Sequence, residues 1–227
     1  MKTATFPQMH VHEMWTIFDD PDVPVIEVRC IWPKGIEPSR RTTSRCFDQA
    51  HYQSEQAYRS AVESYVKQMN QQGYNLYSTL NPLKAGMGQF SSAKDVDVIC
   101  RRRFLIDIDR DVGKDHPATD ADIAAAKSLG DQIASHLDGL GWPTPVRIMS
   151  GNGHHLIYPL DDLPTSKEVR SSIKDLLHTL KTTFSSNGFS VDTSVSNPSR
   201  VTKIPGTLAR RGTEITNHPY RVARIYA

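Results

Sequence analysis

The second half of the chain alternates strand-like and helix-like segments in an order that few folds accommodate. Short runs rich in Val, Ile, Leu and Phe alternate with two long segments whose apolar residues recur every three to four positions. Thr119 or Asp120 can begin the first of these helices. The predicted elements are a strand at 103–109, a helix at 120–139, a strand at 145–149, a turn at 150–153, a strand at 154–159, a helix at 166–187 and a strand near 200–204. This β-α-β-β-α-β order predicts the split βαβ topology that RNA-recognition modules share.

That topology would bring two separate motifs together. Its strands lie across the sheet in the order fourth, first, third, second, so the first and third strands are neighbours. Asp107 and Asp109 lie on the first strand and His155 on the third, about 4.8 Å away. Ile106 and Ile108 alternate with the aspartates and are expected to pack beneath the helices. We therefore predict an open face that carries both carboxylates and the imidazole.

The first half of the chain predicts a second set of strands with one helix. A β-rich run at 25–32 is followed by a polar stretch at 34–45, which we interpret as a loop. Ser54 can cap a helix at 55–72, and a further strand is expected at 74–80.

The two halves together predict a two-lobed α+β protein. A chain of 227 residues can bury a core for one large α/β domain or two small lobes. We predict an N-terminal α/β lobe over residues 1–98. An RNA-recognition-like βαββαβ lobe over residues 99–227, ending in a basic C-terminal segment, is expected to pack against it.

Asp107 and Asp109 form an Asp-x-Asp pair on one strand face. Side chains two apart in a strand are separated by about 6.6 Å along it. Neighbouring carboxylates repel each other, and divalent cations remove that repulsion. Mg²⁺ takes one or two carboxylates plus phosphate oxygens, and two-metal sites hold their ions about 3.5–4 Å apart. The spacing can therefore serve a two-metal site, the alternative being a strand end that merely runs into solvent.

The stretch Ser150-Gly151-Asn152-Gly153 predicts a tight turn between two strands. Glycine permits positive φ and a close approach of the backbone, so free N–H groups in the turn could bind phosphates. His155 can donate to a phosphate from the aspartate face, while His154 points to the other face and is predicted to be structural or solvent-exposed. An Asn-Gly turn also fits an ordinary hairpin.

Asp192 is a candidate for a third metal-binding carboxylate. It follows Val191 at the predicted end of a short strand, although an aspartate at such a place more often has a turn or capping role. Arg200 and Lys203 precede a Pro-Gly turn and could neutralise a triphosphate, arginine as a bidentate fork and lysine as a point charge.

Charge distribution says more than the formal net charge of +2. Residues 195–227 contain six basic side chains and one glutamate, and three arginines directly precede the aspartates. Such runs are commonly solvated surface, but beside a phosphate-binding site they favour contact with a nucleic-acid backbone. The predicted nucleic-acid-binding residues are Arg101, Arg102, Arg103, Arg210 and Arg211.

Cysteine usage and hydropathy indicate the expected compartment. The three cysteines have no CxxC spacing, which argues against a disulfide framework and against a structural zinc module. No apolar run approaches the roughly 20 residues of a membrane helix, and no signal pattern begins the chain. We therefore expect a cytoplasmic protein, without zinc and without a membrane partner.

These motifs resemble those of the archaeo-eukaryotic primase superfamily, particularly the primase-polymerase catalytic domains of phages and plasmids. The matching motifs are hydrophobic-Asp-x-Asp at 106–109, Ser-Gly-x-Gly-x-His at 150–155, hydrophobic-Asp at 191–192 and Arg-x-x-Lys-x-Pro-Gly-Thr at 200–207. Glu27-Val28-Arg29 and the stretch from Tyr77 to Pro82 are also similar to that branch, so the likeness covers about 25–207.

The resemblance implies a template-dependent nucleotidyltransferase, a DNA primase or DNA polymerase, acting in phage- or plasmid-type replication. A 3′-hydroxyl would attack the α-phosphate of a nucleoside triphosphate and release pyrophosphate. The implied catalytic residues are Asp107, Asp109, Asp192 and His155, with the three aspartates holding two divalent ions. The implied nucleotide-binding residues are Ser150, Gly151, Asn152, Gly153, His155, Arg200 and Lys203.

Partners and rival functions follow from the same comparison. The implied partners are a single-stranded DNA template, nucleoside triphosphates and a helicase or priming-accessory domain, since the chain has no P-loop of its own. One rival function is a catalytically silent module that binds single-stranded nucleic acid, but such sheets expose aromatic side chains rather than aspartates. Another is a metal-dependent enzyme that acts on a nucleotide-sugar, for which the glycine turn and the basic tail are not required.

Overall fold

Two larger antiparallel sheets, each with helices on one face, and a small two-stranded sheet make up the described part of the fold. The computed structural model describes residues 9–20, 22–23, 25–184 and 188–226. The strands are β1 (Val25–Ile31), β2 (Thr43–Asp48), β3 (Asn75–Thr79), β4 (Arg101–Arg110), β5 (Val146–Met149), β6 (His154–Leu163), β7 (Phe189–Val191), β8 (Val201–Lys203), β9 (Leu208–Ala209), β10 (Arg221–Val222) and β11 (Arg224–Ile225). The helices are α1 (Trp15–Phe18), α2 (Glu55–Gln71), α3 (Asp120–Gly139) and α4 (Lys167–Phe184).

The first sheet has the strand order β2-β1-β3-β8. Helix α2 packs on it through the buried side chains of Tyr58, Val62 and Val66, and the Ser54 side chain caps the helix by accepting from the Ala57 N–H. The predicted strand at 25–32 and helix at 55–72 are confirmed. The predicted loop at 34–45 is wrong at its end, because Thr43 begins β2, a largely polar edge strand that hydrogen-bonds to β1.

The second sheet has the strand order β11-β5-β6-β4-β7, with α3 and α4 on one face. Its four main strands show the predicted order of fourth, first, third and second. The predicted identity of the fourth strand is wrong, because the edge position beside β4 is taken by β7. The strand near 200–204 is β8, which instead pairs with β3 in the first sheet. The division into lobes at residue 98 stays a prediction. Strand β8 follows that boundary in the sequence but belongs to the sheet formed by the strands before it.

The helix boundaries of this sheet follow local capping. Thr119 and Asp122 form a reciprocal capping box at the start of α3, as expected for the predicted helix at 120–139. Helix α4 ends at Phe184 among the described residues, and positions 185–187 of the predicted helix lie outside them. Across the described ranges, no helix combines the length and the apolar character that crossing a bilayer requires.

Candidate active site

The faces of the two sheets that carry no helix border a common cavity of about 460 Å³. Asn75, Tyr77 and Lys203 line it from the first sheet. Asp107 and His155 line it from the second. The cavity also includes Ser150, Asn152, Asp109, Asp192, Arg200, Arg210 and Arg211. Residues that are far apart in sequence therefore meet in one polar space.

Asp107 and His155 face each other across neighbouring strands. The two residues are directly paired in the register of β4 and β6. His155 Nε2 lies 3.2 Å from Asp107 Oδ1, and His155 Nδ1 lies 3.1 Å from the hydroxyl of Thr202 on β8. Desolvation opposes ionisation of Asp107, but the charge and hydrogen bond of His155 outweigh it and lower the pKa of the carboxyl group. Asp107, Asp109 and Asp192 form the acidic wall of the cavity, and the imidazole of His155 connects this wall to the first sheet.

Asp192 reaches the same space from the end of β7. Because β7 pairs with β4, the Asp192 N–H donates to the Asp107 carbonyl at 2.8 Å. One carboxylate oxygen of Asp192 accepts from the Ser194 N–H at 2.8 Å, and the other lies 3.5 Å from Arg200 Nη2. The backbone bond fixes the third acidic residue beside the first.

Asp109 is paired with two cations from different parts of the chain. Its Oδ2 lies 3.2 Å from Lys114 Nζ and 3.6 Å from Arg211 Nη1. Its side chain is on the same side of β4 as that of Asp107, while Ile106 and Ile108 are fully buried on the other. The predicted alternation along this strand is therefore confirmed. Lys114 was missed by the sequence reasoning, since its polar loop carries no pattern that marks it.

The opposite wall of the cavity is cationic and incompletely satisfied. Lys203 is 2% exposed, and its ammonium nitrogen lies 5.3 Å from the centre of the Tyr77 ring. Burial, together with the charge of Arg210, lowers the pKa of Lys203 to about 7. Four buried nitrogen atoms of the wall have no hydrogen-bond partner within the described part of the chain: Arg200 Nε, Lys203 Nζ, Arg210 Nη1 and Arg211 Nη1. Unsatisfied buried donors of this kind suit an anionic ligand.

Comparisons with known proteins agree on the fold. No protein-family model matches the sequence, and no curated protein matches it either. Among solved structures, the primase-polymerase domain of cyanophage S-2L superposes with a TM-score of 0.56 at 14% identity, covering 97% of this chain and 91% of that one. This chain has the archaeo-eukaryotic primase-polymerase fold.

Two further structures with this primase-polymerase fold are similar. The catalytic domain of primase RepB′ in complex with initiator DNA has a TM-score of 0.51 at 10% identity, covering 96% of this chain and 84% of that one. The polymerase domain of Mycobacterium tuberculosis ligase D in complex with DNA has a TM-score of 0.51 at 16% identity, with coverages of 90% and 74%. Both likenesses concern the fold.

The residues of this primase-polymerase fold suit divalent cations by their chemistry. Mg²⁺ and Mn²⁺ prefer carboxylate oxygen, and Asp107, Asp109 and Asp192 supply such oxygens to one cavity. Within the described ranges no three acidic, histidine or cysteine side chains form a ready-made ligand cluster. Each carboxylate is instead paired with a cationic side chain or an imidazole, and a metal ion would replace these partners.

The backbone N–H groups of the glycine turn bond within the turn, whereas they were predicted to be free for phosphate. The turn is largely satisfied internally, since Ser150 N–H donates to the Gly153 carbonyl, Gly153 N–H to Ser150 Oγ and Gly151 N–H to Met149 Sδ. Ser150 and Asn152 line the cavity, whereas Gly151 and Gly153 do not. The predicted set of free N–H groups for phosphate is therefore wrong at these three positions, because the short turn folds onto itself.

The two glycines are required for packing instead. A Cβ on Gly153 would lie 2.3 Å from the Ile108 carbonyl oxygen, and a Cβ on Gly151, which has φ +101°, would lie 2.2 Å from Ala209 Cβ. The absence of side chains lets the turn lie directly against β4 and β9. This position brings Ser150 and Asn152 to the aspartates.

We expect Gly153→Ala to destabilise the protein by about 1–3 kcal/mol, because the added methyl group must push the turn away from β4. Urea unfolding measures the change. Gly139→Ala is the matched control, since a Cβ at the end of α3 would meet no atom within 4 Å. Equal stability of the Gly153 variant and wild type would contradict the packing role.

The arginine run before the aspartates is part of the scaffold. Arg101 is 2% exposed and donates to the Ser196 carbonyl at 2.8 Å. Arg102 pairs with Asp22 and Asp162, and Arg103 makes two bonds to Asp20. None of the three lines the cavity. These side chains are held by internal partners around the first half of β4, and their role as nucleic-acid contacts stays a prediction.

His154 occupies the helix side of the second sheet, as its alternation with His155 predicts. It is 1% exposed, packs against Gly130 of α3 and lies beside the Tyr226 ring. Desolvation, followed by the charge of His155, lowers the pKa of His154 to about 4. Of the two predicted environments, the structural one is confirmed and the solvent-exposed one is wrong.

Proposed function

We propose that this protein is a template-dependent nucleotidyltransferase, a DNA primase or DNA polymerase that joins nucleoside triphosphates to a 3′-hydroxyl. The supporting observation is the two-sided cavity. Three carboxylates and an imidazole lie on one wall, and cationic nitrogens without hydrogen-bond partners lie on the other. A triphosphate with its divalent ions is a ligand that satisfies both walls at once.

Each wall has a separate task in this proposal. Asp107, Asp109 and Asp192 would hold two Mg²⁺ or Mn²⁺ ions. When bound, such ions supply activation of the attacking hydroxyl and neutralisation of the charge that develops on phosphate. Arg200 and Lys203 would bind the triphosphate, and Ser150 and Asn152 would border it at the turn.

His155 would be a phosphate donor whose orientation is fixed by its neighbours. The Thr202 hydroxyl contacts Nδ1, which leaves Nε2 directed at the carboxylate wall. An imidazole held from both sides loses little conformational freedom when it donates to an incoming phosphate, and preorganised donors of this kind stabilise developing negative charge. For reaction at the α-phosphate, the chain then mainly has to position the reacting groups and to stabilise the charge that develops on them.

DNA is the proposed template and primer. Both RepB′ and the ligase D polymerase domain are described in complexes with DNA. For this chain, the cationic wall at Arg210 and Arg211 would lie nearest to an entering strand, because both residues border the cavity. Replication of a phage- or plasmid-type element is the proposed setting, with a helicase or priming-accessory domain as a further partner.

We expect His155→Asn to reduce incorporation by about 10²-fold, as losing one preorganised donor does. Purified wild type and variant are incubated with primed and unprimed single-stranded DNA, deoxynucleoside triphosphates and Mg²⁺ or Mn²⁺. Extended product and pyrophosphate are both measured.

The matched control is His178→Asn, the same substitution at an exposed position of α4. It is expected to match wild type. If wild type forms no product under any of these conditions, the proposed function is wrong. Product from wild type and His155→Asn at equal rates would instead reject the role of the imidazole.

A further inference from the structure

The loop between β1 and β2 carries cations that the rest of the protein leaves free. Lys34, Arg40 and Arg41 are all exposed. Within the described ranges, no hydrogen bond or ion pair involves the side chains of Lys34 and Arg41. Glu37 is the one acidic residue between Lys34 and Arg41, and its carboxylate accepts from the Ser39 N–H at 2.8 Å. The loop therefore carries three cations against one carboxylate, and its described residues form no ion pair.

Most arginines outside this loop have a carboxylate partner. Many of them are in ion pairs with carboxylates: Arg29, Arg59, Arg102, Arg103, Arg110, Arg147, Arg170 and Arg221. Among the described residues, Arg40 and Arg41 have no such partner. Arg45, Arg101, Arg210 and Arg224 also lack a carboxylate partner among the described residues. Arg40 and Arg41 are distinguished by being two exposed, unpaired arginines next to each other in one loop.

Arg40 is held in place although it is not neutralised. Its guanidinium carbon lies 4.6 Å from the centre of the Trp32 ring, and Nη1 lies 3.5 Å from the Gln72 carbonyl. Trp32 is itself fixed by a bond from its indole nitrogen to the Ile36 carbonyl at 2.9 Å and by an edge contact with Tyr74. A stacked guanidinium of this kind is positioned in advance, so little side-chain entropy is lost when it binds an anion.

The loop is continuous with the cavity. Trp32 and Lys34 border the cavity, and the Lys34 carbonyl accepts from the Gly212 N–H at 2.8 Å. This bond joins the loop to the segment that carries Arg210 and Arg211, whose Nη1 atoms lack hydrogen-bond partners within the described chain. Positive charge therefore continues from the cavity wall, where Arg211 is also paired with Asp109 at 3.6 Å, to the outer loop, in which the described residues form no ion pair.

We propose that residues 34–41 bind the phosphate backbone of single-stranded DNA and direct it into the cavity. The inference rests on the proposed function, which makes that strand the template. Lys34 would contact the phosphate at the cavity edge, and Arg40 and Arg41 would contact phosphates outside it. Contacts of this kind are independent of base sequence and release counterions, so they weaken steeply as salt increases.

The test measures strand binding without catalysis. A fluorescein-labelled oligothymidylate is titrated with wild type and with the Arg40→Gln, Arg41→Gln double variant, and anisotropy is recorded between roughly 50 and 200 mM salt. Both arginines lie outside the set of residues that line the cavity. Lys167→Gln, Lys174→Gln is the control, because it removes two exposed cations from α4.

The loss of two phosphate contacts is expected to make the slope of log affinity against log salt shallower by about 1.4. At about 50 mM salt the affinity is expected to be about tenfold weaker than that of wild type. The control is expected to keep the wild-type slope. An unchanged slope in the loop variant, an equal loss in the control or no binding by wild type would each overturn the inference. If strand binding falls as expected while wild type incorporates no nucleotide, the loop assignment stands and the proposed function fails.

Discussion

Asp107→Asn and Asp109→Asn are each expected to reduce nucleotide incorporation by about 10³-fold or more, with the fold retained. Asparagine keeps the size of the side chain but removes the negative charge and one anionic oxygen. Both carboxylates lie on the acidic wall of the cavity, where a divalent ion must be held for phosphoryl transfer in the proposed reaction. The cationic wall is unchanged in these variants, so repulsion between it and an uncompensated metal ion would add to the loss.

Primer extension over a time course, with pyrophosphate release as a second readout, measures this effect. Asp175→Asn on the exposed face of α4 is the matched control and is expected to retain wild-type activity. Thermal unfolding of all three variants separates a catalytic defect from loss of structure. A rate within a factor of ten of wild type for either cavity variant would show that the carboxylate is not part of the catalytic site.

Lys203→Met is expected to stabilise the protein below neutral pH and to abolish tight triphosphate binding. The folded state lowers the pKa of Lys203 from 10.5 to about 7 because the ammonium group is buried. A lysine with a lowered folded pKa destabilises the folded state fully below about pH 7, and this penalty disappears as pH rises towards 10.5. Its upper limit at low pH is roughly 5 kcal/mol. Methionine fills similar space without the charge.

Urea unfolding at pH 6 and at pH 9.5 measures the predicted pH dependence. The gain in stability of Lys203→Met over wild type should be largest at pH 6 and small at pH 9.5. Lys174→Met, at an exposed position of α4, is the control and should show no such trend. A variant that is less stable than wild type at pH 6, or a difference independent of pH, would contradict the burial of an unpaired charge.

The second sheet could be predicted from local sequence signals. Alternation along 104–109 separates buried from polar positions, and the Thr119 cap and helical spacing determine α3 almost to the residue. Glycines at 151 and 153 indicate a tight turn. The convergence of Asp107 with His155 follows from strand order alone, so this part of the candidate site could be predicted from the sequence.

Other features depend on contacts that local patterns do not encode. The sequence around β8 is compatible with either sheet, and its pairing with β3 is decided by long-range packing. Strand β2 is polar because it lies at an edge, so hydrophobic periodicity does not reveal it. The partners of Arg101 and Arg102 come from Ser196 and from Asp22 and Asp162, which are distant in sequence. A basic run therefore looks the same whether it is free or neutralised.

The pairing of β8 with β3 bears on where this chain can be divided into fragments. The last edge strand of the first sheet comes from residues 201–203, whereas the preceding strand of that sheet, β3, already ends at Thr79. A fragment ending at residue 98 would expose the backbone groups of β3 that face β8, such as the Leu76 carbonyl and the Leu80 N–H, which bond to the Ile204 N–H and the Arg200 carbonyl. An unpaired edge of this kind invites aggregation. We therefore expect truncation or domain shuffling at that boundary to leave the first sheet without one of its edge strands.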